Sequence, residues 1–424
     1  MSQLNREEIL DGIYFNSISD DRFKTNLIAL YFAVPLHSST AATYALLPNV
    51  LRKGCRSYPD FTEFNKYLSE LYGAYVDYGV EKFGDEQLVS LSIVGIDDKF
   101  TLEQEQITEK LARALADMAL DPILAEDTFP ENELELEKNS LIDTINAEIN
   151  DKRTYALNAA TRLMCADEPY GLSKYGTVDE VRQITKTSLM EAYHKLIRQA
   201  HVEILFVGCG CANTAKEVFR SSFVKVERAF SGKHPTSAHR PLADTLEKTE
   251  RLDVSQSKMV LGFSTGLTAD DARIPALHLM SVVLGGTPMS KLFLNVREKL
   301  SLCYYCAARL DSRKGIVKID CGVETENIER AKEEILRQLD EIKAGHVTDE
   351  EIKNAVMSLE NSYRTVNDSN GSVALYYLGR IFAEQICTPE EMAARLKQVT
   401  KEQIIEAAGL LHLDAVYILT GKEA

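Results

Sequence analysis

Histidines, cysteines and carboxylates are the side chains with which this chain could bind metal or build a nucleophile. The eight histidines, at positions 37, 194, 201, 234, 239, 278, 346 and 412, include no pair at metal-ligand spacing. His234 and His239 come nearest, five residues apart in a stretch without apolar periodicity, and are expected to be solvent exposed. Cys303 and Cys306 form a C-x-x-C, and Cys209 and Cys211 a C-x-C. Each pair lies in a strand-like run with no second pair at zinc-finger spacing, so packed thiols are expected. Eight cysteines in 424 residues do not make a disulfide scaffold, and a reducing cytoplasm is the expected compartment.

The stretch from Ser38 to Pro59, SSTAATYALLPNVLRKGCRSYP, organises the first half. Ala41 to Arg52 reads as a helix, with Ser38 to Thr40 as cap candidates and Gly54 as the stop. Pro48 inside that helix removes a backbone hydrogen bond, typically at a cost of about 3 kcal/mol. The helix carries no imidazole, thiolate or carboxylate, so it has no donor suited to zinc.

Hydrophobic residues at 45% and charged residues at 26% describe a globular chain long enough for more than one core. A net charge of −16 argues against a nucleic-acid binder, which wants a basic face. It suits a basic or neutral peptide, although acidic surfaces also keep proteins soluble. No apolar run approaches the roughly 20 residues of a membrane span, and the first residues carry no basic and apolar secretory pattern.

Strands are predicted at 13–19, 26–34, 73–80, 88–96 and 202–207, and helices at 61–72, 103–120, 132–164 and 188–198. Residues 229–251, with two prolines, read as a linker. The order then repeats. A strand at 258–264 leads to a helix at 273–284 closed by Gly285 and Gly286, then a helix at 290–299. A hairpin of 303–310 and 315–323 follows, then helices at 328–344, from 349 and at 402–411, and a strand at 415–419. The segments ITK…EAY…strand and VTK…EAA…strand match in pattern, with Glu191 and Glu406 215 residues apart, about half the chain. Hairpin strands mixed with helices imply an α+β fold of two tandem domains, each a mostly antiparallel sheet covered by helices on one face. The expected division is 1–228, a linker over 229–251, and 252–424.

The L-R-K-G-C-R-S-Y-P tail of the first helix resembles the end of the active-site helix in the pitrilysin, insulin-degrading enzyme and mitochondrial processing peptidase superfamily. The resemblance extends over nearly the whole chain. Relatives carry the inverted zinc motif H-x-x-E-H on that helix and a third ligand, a glutamate, on a later long helix. By this resemblance Ala45, Pro48 and Asn49 stand at the first histidine, the base and the second histidine. EKNSLIDT places Thr144 at the third ligand, seven residues after Glu137. All three ligands and the base are replaced. No metal and no cofactor are therefore expected in this chain.

The second half resembles the superfamily's L-R-E-K-x-G-L-x-Y signature in SKLFLNVREKLSLCYY, with Arg297 and Tyr304 at the matching positions and Ser301 in place of the glycine. The resemblance implies that this pair steadies a scissile carbonyl in trans, as guanidinium and phenol donors can do for a developing oxyanion. It further implies a heterodimer with a homologous subunit that carries H-x-x-E-H and the zinc, around an extended peptide substrate. An isolated chain is then alone or a homodimer. The alternative is a structural subunit without a proteolytic role, like the core proteins of the respiratory cytochrome complex. Among bacterial members it looks most like the group labelled elongation-factor-P modification-associated.

Overall fold

The computed structural model describes residues 3–230 and 232–421. In chain order the elements begin with strands β1 (Leu4–Leu10), β2 (Ile13–Ser19) and β3 (Thr25–Pro35). Helices α1 (Ala41–Leu51) and α2 (Phe61–Glu70) lead to the hairpin β4 (Tyr75–Phe83) and β5 (Glu86–Ile96). Helices α3 (Ile107–Leu120), α4 (Glu131–Ala147), α5 (Lys152–Met164), α6 (Val178–Gln183) and α7 (Lys186–Gln199) precede β6 (His201–Gly208) and α8 (Ala212–Phe223). The second run has β7 (Leu246–Leu252), β8 (Ser257–Ser264), α9 (Ile274–Gly285), a π-helical segment Leu292–Lys299, and the hairpin β9 (Cys303–Asp311) and β10 (Ile316–Val323). It closes with α10 (Ile328–Lys343), α11 (Asp349–Thr365), α12 (Asn370–Phe382), α13 (Pro389–Lys397), α14 (Lys401–Gly409) and β11 (His412–Gly421).

Two sheets carry these elements. One has the order β1-β2-β6-β3-β5-β4 and the other β7-β11-β8-β10-β9. In the first, β2 and β6 are parallel and every other pair is antiparallel. In the second, β7 and β11 are parallel and the rest antiparallel. Setting β2 against β7, β6 against β11, β3 against β8, β5 against β10 and β4 against β9 therefore superposes order and sense strand for strand. The fold is α+β, and the tandem repeat seen in the sequence is a repeat of sheet topology. Each sheet has its own apolar core. Ile28, Leu30, Phe32, Val89 and Leu91 anchor the first, and Met259, Leu261, Phe263, Val317 and Ile319 the second.

The chain forms two compact units whose segments interleave along the sequence. One takes residues up to Asn146, Leu172–Pro235 and Asn367–Gly379; the other takes Ala147–Gly171, Thr236–Val366 and the residues from Arg380. The expected single helix over 132–164 is broken for this reason. Asp151 accepts hydrogen bonds from the backbone N–H groups of Arg153 and Thr154, and so caps a new helix, α5, at the point where the chain leaves the first unit. Helix α5 packs on β8 and β11. The region read as linker, 229–251, contains most of strand β7. None of the described helices is long and apolar enough to cross a membrane.

Candidate functional site

Helix α1 forms where predicted and turns its chemistry inward. Tyr44, Ala45, Leu46, Leu47 and Pro48 are all buried in the first core, Ala45 with 2% of its surface exposed. Burial alone pushes the Tyr44 phenol up to about 12. The expected side-chain cap is not made: Thr40 caps the helix without a side-chain hydrogen bond, and the Ala41 N–H donates instead to the His37 carbonyl at 2.9 Å. Gly54, at φ 148°, ends the helix in backbone space that L side chains rarely occupy.

Of the four positions matched to zinc ligands and base, Ala45 and Pro48 are core residues and Asn49 is half-buried. Thr144 is exposed on α4, and its hydroxyl donates to the Ser140 carbonyl of its own helix at 3.0 Å. Glu137 is the carboxylate that remains, and it is 98% buried. Its Oε1 lies 2.7 Å from Lys53 Nζ and 3.5 Å from Arg52 Nη2, both at the end of α1. Glu133, one turn earlier, stands 3.3 Å from the same Lys53. The Arg52 guanidinium also covers the ring of Tyr78, 4.7 Å from its centroid. The cleft beside this cluster is lined by Val50, Lys53, Phe61, Ile123 and Glu133. A zinc ion does not fit here, because the Glu137 carboxylate is neutralised by two cations and, among the described residues, no imidazole faces it.

The second unit holds the other predicted pair. Arg297 lies in the last turn of the π-helical segment, 41% exposed, with its Nε 3.5 Å from Glu298 and its guanidinium 4.5 Å from the Phe293 ring centroid. Tyr304 is the second residue of β9 and is 62% exposed. Its hydrogen bond to the Glu324 carboxylate holds the phenol above its ordinary range. Among the described residues the two side chains find these partners and not each other. The connecting turn keeps the backbone a glycine would adopt, since Ser301 sits at φ 52°. Tyr304 also heads an edge strand, because β9 pairs with β10 on one side only.

The cysteines divide. Cys303 and Cys306 are buried at the root of this edge, as expected of packed thiols. A hydrogen bond from Cys306, aided by Arg297, holds the Cys303 thiol below its ordinary range. Cys209 is half-buried and Cys211 exposed, because they lie beyond the end of β6, in the turn before α8, and not in the strand. His234 is exposed as expected, but His239 is not: it is 1% exposed, packed beside Cys165, Glu168 and Asp414. No spacing signals that cluster, since the fold gathers its members from three separate segments.

Residues 183–359 match the peptidase M16 inactive domain. The chain is similar to the probable inactive metalloprotease YmfF of Bacillus subtilis, with 30% identity over 412 residues, 97% of this chain and 96% of that one. A crystal structure of a conserved protein from Enterococcus faecalis is 27% identical, with a TM-score of 0.91 and 99% of each chain covered. The peptidase M16 inactive domain from Pseudomonas fluorescens shares the fold at 18% identity, with a TM-score of 0.81 and 99% of each chain covered. The chain belongs to the peptidase M16 family as an inactive metalloprotease homologue.

Proposed function

We propose that this chain is the non-catalytic subunit of a two-chain zinc peptidase of the cytoplasm. It binds an extended peptide at the free edge of β9 by strand addition, where main-chain hydrogen bonds give affinity and alternate side chains give selectivity. Arg297 and Tyr304 then donate to the scissile carbonyl oxygen, while the zinc and the general base belong to an H-x-x-E-H partner. The carrying observation is the placement of this pair. Tyr304 reaches solvent at the start of an edge strand and Arg297 from the π-helical segment before it, the two joined by a turn that holds Ser301 at φ 52°. Backbone in that region costs on the order of 1 kcal/mol for a non-glycine residue, so the turn is maintained against a local preference.

A second reading, a structural subunit with no proteolytic role, is favoured by the partners the pair already has. Arg297 lies on Phe293 beside Glu298, and Tyr304 is bonded to Glu324. Recovering the tagged full chain from its own cells separates the two. A stoichiometric chain of similar size with an intact H-x-x-E-H supports the peptidase reading. Recovery alone or as a homodimer removes the shared active site.

A further inference from the structure

We infer that the second unit contains a zinc site formed by Cys165, Glu168 and His239, with Asp414 orienting the histidine. The three donor atoms, Cys165 Sγ, a Glu168 carboxylate oxygen and a His239 ring nitrogen, all lie within 4.8 Å of one another. His239 Nδ1 is 3.8 Å from Cys165 Sγ and 2.5 Å from Glu168 Oε1. Tetrahedral zinc, with Zn–S about 2.3 Å and Zn–N about 2.0 Å, sets sulfur–nitrogen separations of about 3.6 Å and nitrogen–oxygen separations of about 3.4 Å. The Cys165–His239 separation is therefore close to the tetrahedral value, whereas the His239–Glu168 contact has to open.

A second observation shows how it opens. On the far side of the ring, His239 Nε2 stands 3.6 Å from Asp414 Oδ2. Both atoms are buried, and neither has a hydrogen-bond partner among the described residues. Asp414 itself is fixed, since its Oδ1 accepts the Leu242 N–H at 2.8 Å and lies 2.8 Å from His412 Nδ1. A ring shift of about 0.8 Å towards Asp414 makes the missing Nε2–H to carboxylate hydrogen bond at the usual length. The same shift moves Nδ1 away from Glu168 and frees its lone pair for a metal. A carboxylate that fixes the tautomer of a ligating imidazole is the usual outer shell of a zinc histidine.

Charge supports the assignment. Lys314, fully buried, lies 2.7 Å from Glu168 Oε2. Zinc with a Cys165 thiolate, the two carboxylates and the Lys314 ammonium sums to zero, as a buried site requires. Zinc binding releases the Cys165 proton, and also the Nδ1 proton if the ring enters doubly protonated. Glu168, the one half-buried ligand, leaves a path for the ion and for a water in the fourth position. The site would tie the loop after α5 to the segment leading into β7 and to the start of β11, all within one unit.

This inference does not rest on the proposed peptidase role. The full chain, stripped with a chelator, is titrated with Zn2+ against a competing chromophoric chelator. One zinc per chain is expected, with affinity reduced at least about 100-fold in Cys165→Ser and His239→Gln, and about 10- to 100-fold in Asp414→Asn. Co2+ loaded into the wild-type chain should show thiolate-to-cobalt charge-transfer absorption. That readout stands even if the variants fail to fold. Absence of stoichiometric zinc and of the cobalt band overturns the site and leaves a buried ion-pair cluster. Zinc retained unchanged in both ligand variants also overturns it, and separately contradicts the metal-free reading of α1.

Discussion

Lys53 Nζ stands 2.7 Å from the buried Glu137 carboxylate, joining the end of α1 to α4. Removing the cation strands a charge in the core, and breaking such pairs typically costs about 3 kcal/mol or more. Because Arg52 remains at 3.5 Å, Lys53→Met should cost somewhat less, roughly 2 kcal/mol. Lys53→Met combined with Glu137→Leu should recover most of that loss. Denaturant unfolding of the four members of this cycle measures the coupling.

Burial of Ala45 makes reconstruction of the zinc motif unfavourable. Ala45→His inserts a ring where 2% of the surface is open, and overpacking a core of this kind costs about 1–3 kcal/mol. The triple replacement Ala45→His, Pro48→Glu, Asn49→His should therefore lower the unfolding midpoint and bind no zinc at α1. Metal analysis after removal of the site around His239 checks the second half of that expectation.

Ser301→Gly relieves a left-handed residue and should raise stability by up to about 1 kcal/mol, less the extra freedom glycine gives the unfolded chain. Ser301→Val should lower it by more than 1 kcal/mol, on the order expected for a β-branched residue at positive φ. Thermal unfolding distinguishes the two directions. Equal midpoints for all three chains would mean that the turn relaxes freely.

Glu86 gives a pH signature to the first unit. Burial pushes its carboxyl up to about 8, against the opposing pull of Lys233. Between the ordinary carboxylate range and pH 8 the folded chain keeps a proton that the unfolded chain has lost. Stability from this group is thus complete at low pH and falls as pH rises through 8, with a slope approaching about 1.4 kcal/mol per pH unit. Glu86→Gln should remove that slope. Unfolding free energies from pH 5 to 8.5 in both chains show whether the difference between them has this sign.

Much of this was legible in the sequence wherever burial imposed a period. β3, β5 and α1 carry apolar patterns that their cores demand, and Gly54 and Gly286 mark real helix ends. The edge strands β1 and β7, LNREEIL and LEKTERL, were not legible: each pairs on one side and leaves few side chains fully buried, so neither shows an apolar alternation. The exchange of segments between units was hidden too, since α4 and α5 form one amphipathic run interrupted only by the cap at Asp151. The absence of imidazole, thiolate and carboxylate from α1 could be read directly from its residues. The ion pair at its end could not, because Lys53 and Glu137 are joined only by the fold. The same is true of Cys165 and His239, which stand 74 positions apart.

The most direct test of the central claim is the peptidase rate of the assembled pair with wild-type chain and with Arg297→Ala, at equal assembly. The account predicts a loss of roughly 100-fold, the effect of removing one oxyanion donor, with the complex intact. An unchanged rate would contradict it and leave Arg297 and Tyr304 with structural roles alone.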